Sequence, residues 1–327
     1  MKGTLLARVI AVSNLKGGIG KTTTVVNIGA GLALKGARVL LVDTDAQGNL
    51  AMALGSHPRR TLYDVLVDNA HPETCIVNVR PHLDLLAADA TLLGAQPVIA
   101  KRSDWSRVLS QALQPVINRY DFVLIDSAGS LTPLNINALM CASDVLAPTT
   151  IEHFSLKSLE LLLTQVARVK GGAAAVRMII PTMYDPRVRQ SGELLNDLKQ
   201  RYGTLIAPAI RVNVRLSEAP AHGKTIYEYD PRSRGAADYA RLVDHIGEVF
   251  GFQARQEKAA THADVPDTSF VPNHAPAVVQ TRQQSILHSC PNCGRPLQHT
   301  ILAGYRIWFC DACKYKTQAL VSTPRLS

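Results

Sequence analysis

Nowhere in the 327 residues do apolar side chains run for the ~18 positions that a membrane-crossing helix needs. The first apolar run is short, contains Arg8 and leads directly into a glycine-rich loop, so it is expected to be a strand rather than a signal peptide. Aromatic residues are scarce, 5% against 46% hydrophobic residues overall. A core built instead from Val, Leu, Ile and Ala suits buried parallel strands. Acidic residues are outnumbered, 26 Asp and Glu against 35 Lys and Arg, which leaves a net charge of +9. That surplus is compatible with a polyanion partner such as DNA, although charge alone does not identify one. Cysteine is limited to six residues, and four of them form two C-x-x-C pairs near the C-terminus. This pattern is not a secreted disulfide framework. Cys75 and Cys141 read as ordinary apolar residues.

Against these absences stands one dense segment, Asn14-Leu-Lys-Gly-Gly-Ile-Gly-Lys-Thr-Thr-Thr24. It follows the apolar run Val9–Val12 and precedes a helical pattern, the strand–loop–helix context of a phosphate-binding loop. In Gly17-Gly18-Ile19-Gly20-Lys21-Thr22-Thr23 the glycines let backbone N–H groups turn toward phosphate oxygens, and the helix N-terminus adds positive potential. Lys21 is placed to reach the terminal phosphates and Thr22 to ligate Mg²⁺. Leu15 occupies the position where the usual loop has its first glycine, and a second lysine, Lys16, follows it. A nucleotide site on a chain with paired cysteines favours a reducing, cytoplasmic setting.

Acidic residues close two apolar strands. Arg38–Asp43 is followed by Asp45, and Phe122-Val-Leu-Ile-Asp126 repeats the arrangement. The carboxyl ends of parallel strands face the ligand in a doubly wound sheet, and an acid there can hold Mg²⁺ directly or through water. Further strands are expected at Arg8–Ser13, Leu83–Ala87, Asp144–Pro148 and Arg177–Thr182. Helices are expected over 153–170, from the stripe Leu156, Leu159, Leu163, Val166 and Val169, and over Glu193–Tyr202. The alternation of short apolar runs with helical patterns predicts an α/β fold, a doubly wound, mostly parallel sheet over residues 1–250. A Pro-, Thr- and His-bearing stretch, 251–288, reads as a flexible linker, 289–320 as a small cysteine module and 321–327 as a tail.

The runs KGGIGKTTT, VLLVDTDAQGNL, YDFVLIDSAGS and NVRLSEAPAHGKTIYEYDPRSRGAADY together resemble the ParA/MinD family of deviant Walker-A ATPases, and most closely its ParA/Soj partition branch. The resemblance spans about residues 7–250, with the motifs in the family's order. It implies a P-loop ATPase that forms a homodimer around ATP, with Lys16 reaching across to the partner's phosphates, Asp45 orienting the attacking water, and Asp43 and Asp126 around Mg²⁺. It further implies non-specific DNA binding, a ParB-like or other stimulating partner, a nucleoid-associated location in the cytoplasm, and plasmid or chromosome segregation as the task. Relatives also position protein assemblies, and the fold hosts iron–sulfur carriers, so both remain alternatives. A membrane-bound relative would call for a terminal amphipathic helix, and none is expected here.

Two departures follow from the same comparison. The family's proline pair after the second acid is replaced by Ala128-Gly129, which makes the segment more flexible. The phosphate loop begins so early that no helix-turn-helix domain is expected before it, so DNA contacts would come from Arg215, Arg232 and Arg234 in the matching C-terminal motif. Arg211, Lys224 and Arg241 lie near them in sequence, interleaved with Glu218, Glu228, Asp230 and Asp238.

Cys290, Cys293, Cys310 and Cys313 form C-x₂-C-x₁₆-C-x₂-C, the spacing of a zinc ribbon, in which two knuckles converge on one Zn²⁺. A module this small has little core, so the metal would supply most of its stability. His288 and His299 read as bystanders, Arg306–Cys310 as a strand, and Lys314 and Lys316 beside Tyr315 as thin evidence for a phosphate contact.

Overall fold

The computed structural model describes residues 7–130, 132–254, 289–290, 293–302, 305–313 and 315–320. The linker expected at 251–288 falls almost wholly outside them, as do His288, Lys314 and the tail. Seven strands form one sheet: β1 Arg8–Val12, β2 Val39–Asp43, β3 Ile76–Arg80, β4 Leu83–Leu86, β5 Phe122–Asp126, β6 Asp144–Thr150 and β7 Val176–Thr182. Their spatial order is β3-β4-β2-β5-β1-β6-β7. All neighbouring pairs are parallel except β3 with β4.

The sheet is covered on both faces. Along β1, Val9 and Ala11 join one core cluster while Ile10 and Val12 join the other, the period-2 alternation of a strand buried on both sides. On the first face pack α3 Leu62–Leu66, α4 Leu92–Ala100, α5 Val108–Ile117, α6 Pro133–Cys141, α7 His153–Lys170 and α8 Arg189–Tyr202. The second face is covered by α1 Lys21–Leu34, α2 Asn49–Ala53, α10 Ile226–Tyr229 and α11 Arg234–Phe250, with the short α9 Val214–Glu218 beside them. Gly29 and Gly31 let α1 approach closely: a Cβ at Gly29 would lie 2.7 Å from Leu41 of β2, and one at Gly31 would lie 2.6 Å from Val243 of α11.

Each strand expected from the sequence is present within a residue or two of its expected bounds. The sequence reading did not include β3. Its five residues are half-buried or exposed, its pairing is irregular between Asn78 and Arg80, and it lies at the sheet edge. A strand that packs so little against a core leaves only a faint hydrophobic alternation. Helix α8 starts four residues before Glu193, because its first turn, Arg189 and Gln190, is solvent-exposed and carries no apolar periodicity. Phe252, which the sequence assigns to the linker, stacks edge-on against Phe122 at 5.4 Å.

The C-terminal module is a three-stranded antiparallel sheet, β8 Gln298–Leu302, β9 Tyr305–Phe309 and β10 Lys316–Leu320, in the order β10-β9-β8.

Candidate active site

Central strand β1 delivers the glycine loop to the carboxyl edge of the sheet. Gly18 and Gly20 hold φ of 71° and 85°, the left-handed region that a side chain disfavours, and Gly20 caps α1. The loop is tied to the sheet from both sides. Asn14 Nδ2 donates to the Pro148 carbonyl at 2.8 Å, and the Thr182 hydroxyl donates to the carbonyl of buried Ile19 at 2.9 Å. A further tie lies within α1, where Asn27 Nδ2 donates to the Thr23 carbonyl at 2.8 Å. Asn14 and Thr182 carry no motif signal of their own. Their position at the ends of β1 and β7 is what reveals them.

Lys21 is buried, and its Nζ donates to the Lys16 carbonyl at 2.8 Å. Burial lowers its pKa, opposed by the charges of Asp126 and Asp45. The Thr22 hydroxyl donates to Asp126 Oδ2 at 2.7 Å, so the first turn of α1 is joined to the end of β5. Oδ1 of Asp126 is buried without a hydrogen-bond partner. An orphaned carboxylate oxygen beside a threonine hydroxyl and a phosphate loop fits the donor set for a hard cation such as Mg²⁺. Burial, the largest influence, pushes the Asp126 carboxyl up to about 7, against the hydrogen bond from Thr22 and the charge of Lys21.

Asp43 lies directly across from Asp126 in the β2–β5 register. Burial first, and the Asp126 charge next, raise its pKa well above the carboxylate range. Its oxygens are committed to backbone: Oδ1 accepts from the Asp45 amide at 2.9 Å and Oδ2 from the Leu50 amide at 3.1 Å. Asp43 therefore shapes the turn that presents Asp45, while Thr22 and Asp126 remain the side chains disposed toward a cation. Asp45 is half-buried and accepts from the Gln47 amide at 3.0 Å. Gly129, in the segment that replaces the proline pair, lies on the loop itself. A Cβ there would sit 3.2 Å from the Gly17 nitrogen and 3.3 Å from Lys21 Nζ.

Lys16 Nζ bonds Glu152 Oε2 at 2.9 Å and Ser155 Oγ at 2.8 Å, both at the start of α7. Glu152 was not among the residues singled out from the sequence. It stands two residues beyond β6, and the strand-end rule that picks out Asp126 applies to it equally.

Of the arginines assigned to DNA, Arg215 is engaged by Glu218 at 2.9 Å and by Asp230 at 3.5 Å. Arg232 and Arg234 are exposed, and among the described residues no ion pair involves them. Arg211 and Arg241 both pair with fully buried Asp238, which makes them structural.

The four cysteine sulfurs of the C-terminal module lie within 4.8 Å of one another. Cys290 and Cys313 are 3.4 Å apart and Cys293 and Cys310 3.5 Å, close to the ~3.8 Å edge of a tetrahedral site with Zn–S bonds of about 2.3 Å. The Cys310 thiol is lowered to about 7, first by the Cys313 amide and, against desolvation, by the Ala312 amide.

A glycine-loop phosphate cradle on the central strand of a mostly parallel, doubly wound sheet, with an acid at the end of the adjacent strand, defines a P-loop nucleoside triphosphatase. A family model described as AAA domain matches residues 7–176. The chain is 38% identical over 263 residues to the chromosome partitioning protein ParA of Caulobacter vibrioides, covering 77% of this chain and 98% of that protein. It is 39% identical over 249 residues to the sporulation initiation inhibitor protein Soj of Bacillus subtilis, covering 74% and 98%. The solved structure of cobyrinic acid a,c-diamide synthase from Mycobacterium smegmatis, with bound ATP analog and magnesium, matches with a TM-score of 0.63 at 32% identity, over 73% of this chain and 94% of that one. This chain belongs to the ParA/Soj family of partition and positioning ATPases. No helix among the described residues is long and apolar enough to cross a membrane.

Proposed function

We propose that two copies of this chain close on ATP, that the closed pair binds DNA without sequence preference, and that a ParB-like partner stimulates hydrolysis and release, moving plasmid or chromosomal DNA. The observation that carries this reading is the convergence of Lys16, Lys21, Thr22, Asp45 and Asp126 on one glycine loop. Backbone N–H groups of Gly17–Thr23 and the Lys21 ammonium bind the phosphates. Thr22 and Asp126 would hold Mg²⁺, which would supply positive charge to the phosphate oxygens. Asp45 orients the water that displaces ADP, and Lys16 of one copy supplies positive charge to the phosphates in the other. Arg232 and Arg234, free of ion pairs among the described residues, and Arg215, which must loosen from Glu218 and Asp230, contact DNA phosphates.

In this reading the ATPase unit is residues 1–250, the linker 251–288 and the zinc ribbon 289–320. Cys290, Cys293, Cys310 and Cys313 would hold Zn²⁺, which would organise the ribbon.

The test is duplex DNA binding by wild type and Lys16→Ala with ATP and with ADP. Binding that needs ATP and is lost in the variant, and that falls steeply as salt rises, supports the proposal. Equal binding in every nucleotide state, or a flat salt response, refutes it. A brown chromophore in anaerobically purified protein would replace zinc by an iron–sulfur cluster.

A further inference from the structure

Lys16 is gripped by its own chain. Beyond the bonds from Nζ to Glu152 and Ser155, its amide donates to Asn14 Oδ1 at 3.2 Å and its carbonyl accepts from Lys21. The acceptors differ in kind. Ser155 is fully buried and its hydroxyl is hydrogen-bonded to Thr150 at the end of β6, so that contact is anchored in the sheet. Glu152 is the N-cap residue of α7, and its side chain is 63% exposed. An ammonium at a helix N-terminus meets the positive end of the helix dipole, so the helix opposes the lysine, and among the described residues Glu152 is the acid paired with it. An exposed ion pair in that position is weak and is screened by salt. Arriving phosphate oxygens, which carry more negative charge than one carboxylate, can take the lysine from it.

We infer that Glu152 and Ser155 hold Lys16 back in the nucleotide-free chain, and that its release from Glu152 sets the ATP concentration at which two copies associate. The second half rests on the reading of Lys16 as the residue that reaches the partner's phosphates. The first half concerns the single chain and stands apart from it. Glu152 is a positioning residue: it acts through Lys16 and touches no phosphate.

The experiment uses the full chain and the variants Glu152→Gln, Glu152→Asp, Ser155→Ala and Lys16→Ala. In nucleotide-free protein, the rate at which an amine-acylating reagent modifies Lys16 is measured by mass spectrometry, with exposed Lys224 as internal reference. Glu152→Gln should raise that rate about two- to fivefold, the range an exposed ion pair controls, and Glu152→Asp should restore it. Ser155→Ala, which alters the buried contact and leaves the carboxylate, should raise it too. Light scattering over an ATP titration then gives the concentration at half-maximal dimer, which should fall by a similar factor in Glu152→Gln. An unchanged Lys16 rate overturns the holding role. A raised rate with an unmoved dimer midpoint overturns the control of association. Dimerisation of Lys16→Ala at the wild-type ATP concentration would instead bring down the reading of Lys16 on which that second half rests, whatever the acylation rates show.

Discussion

In the metal-free protein, stability should fall as pH rises from 5 to 8, and Asp126→Asn should remove much of that slope. Asp126 titrates near 3.8 when unfolded and at about 7 in the fold, chiefly because burial disfavours its charged form. The folded state thus holds a proton between those values that the unfolded state has lost. Its contribution is complete below the unfolded pKa and disappears as pH passes through about 7. A displacement of about three units at 1.36 kcal/mol each sets a ceiling of ~4 kcal/mol. The group is fully buried, so solvent screening does not reduce this figure, and the Asp45 charge presses in the same direction. Asparagine keeps an acceptor for Thr22 and carries no charge. Its own packing cost is the same at every pH, so the useful quantity is the change in the variant-minus-wild-type difference. Denaturant unfolding in EDTA at pH 5, 6.5 and 8 should show that difference shifting in favour of the variant by about 2–4 kcal/mol. Magnesium with a non-hydrolysable ATP analog should stabilise the wild type at pH 8 by more than it stabilises the variant, which keeps the phosphate-binding amides and Lys21 but lacks the carboxylate. Parallel pH profiles for the two proteins would refute the buried-carboxylate argument, and equal stabilisation of both by magnesium and the analog would refute the assignment of the orphaned oxygen to a cation.

Three further outcomes are expected. Gly31→Ala forces a methyl to within 2.6 Å of Val243 and 2.7 Å of the Tyr227 hydroxyl, and should cost about 1–3 kcal/mol in unfolding free energy while preserving the nucleotide loop. Gly129→Val places branched atoms against Gly17 and Lys21, and should weaken fluorescent-nucleotide binding by about tenfold or more, with global stability changed by ~1 kcal/mol or less. Metal analysis should find one zinc per chain, lost in Cys293→Ser, while the calorimetric transition of the α/β unit stays where it was, because that module has its own sheet.

Local pattern was enough to find the six buried strands of the parallel sheet, since each is an apolar run whose alternate residues feed the two cores, as Val9 and Ile10 do. The glycine loop, the strand-end acids and the cysteine spacing were legible for the same reason: their chemistry lies within a few consecutive residues. The edge strand β3 was not, because an antiparallel strand packed on half-exposed side chains borrows its stability from β4 rather than from its own composition. Only the tertiary structure distinguished the two acids, giving Asp43 to the backbone of the Asp45 turn and leaving Asp126 an unpaired oxygen. Only it separated Arg232 and Arg234 from Arg215, whose partners Glu218 and Asp230 close around it through the α9–α10 packing. The second lysine of the loop makes the division clearest. Its presence beside Gly17 was written in eleven residues of sequence, but its grip on Glu152 spans 136 positions and exists only because parallel pairing sets the ends of β1 and β6 side by side.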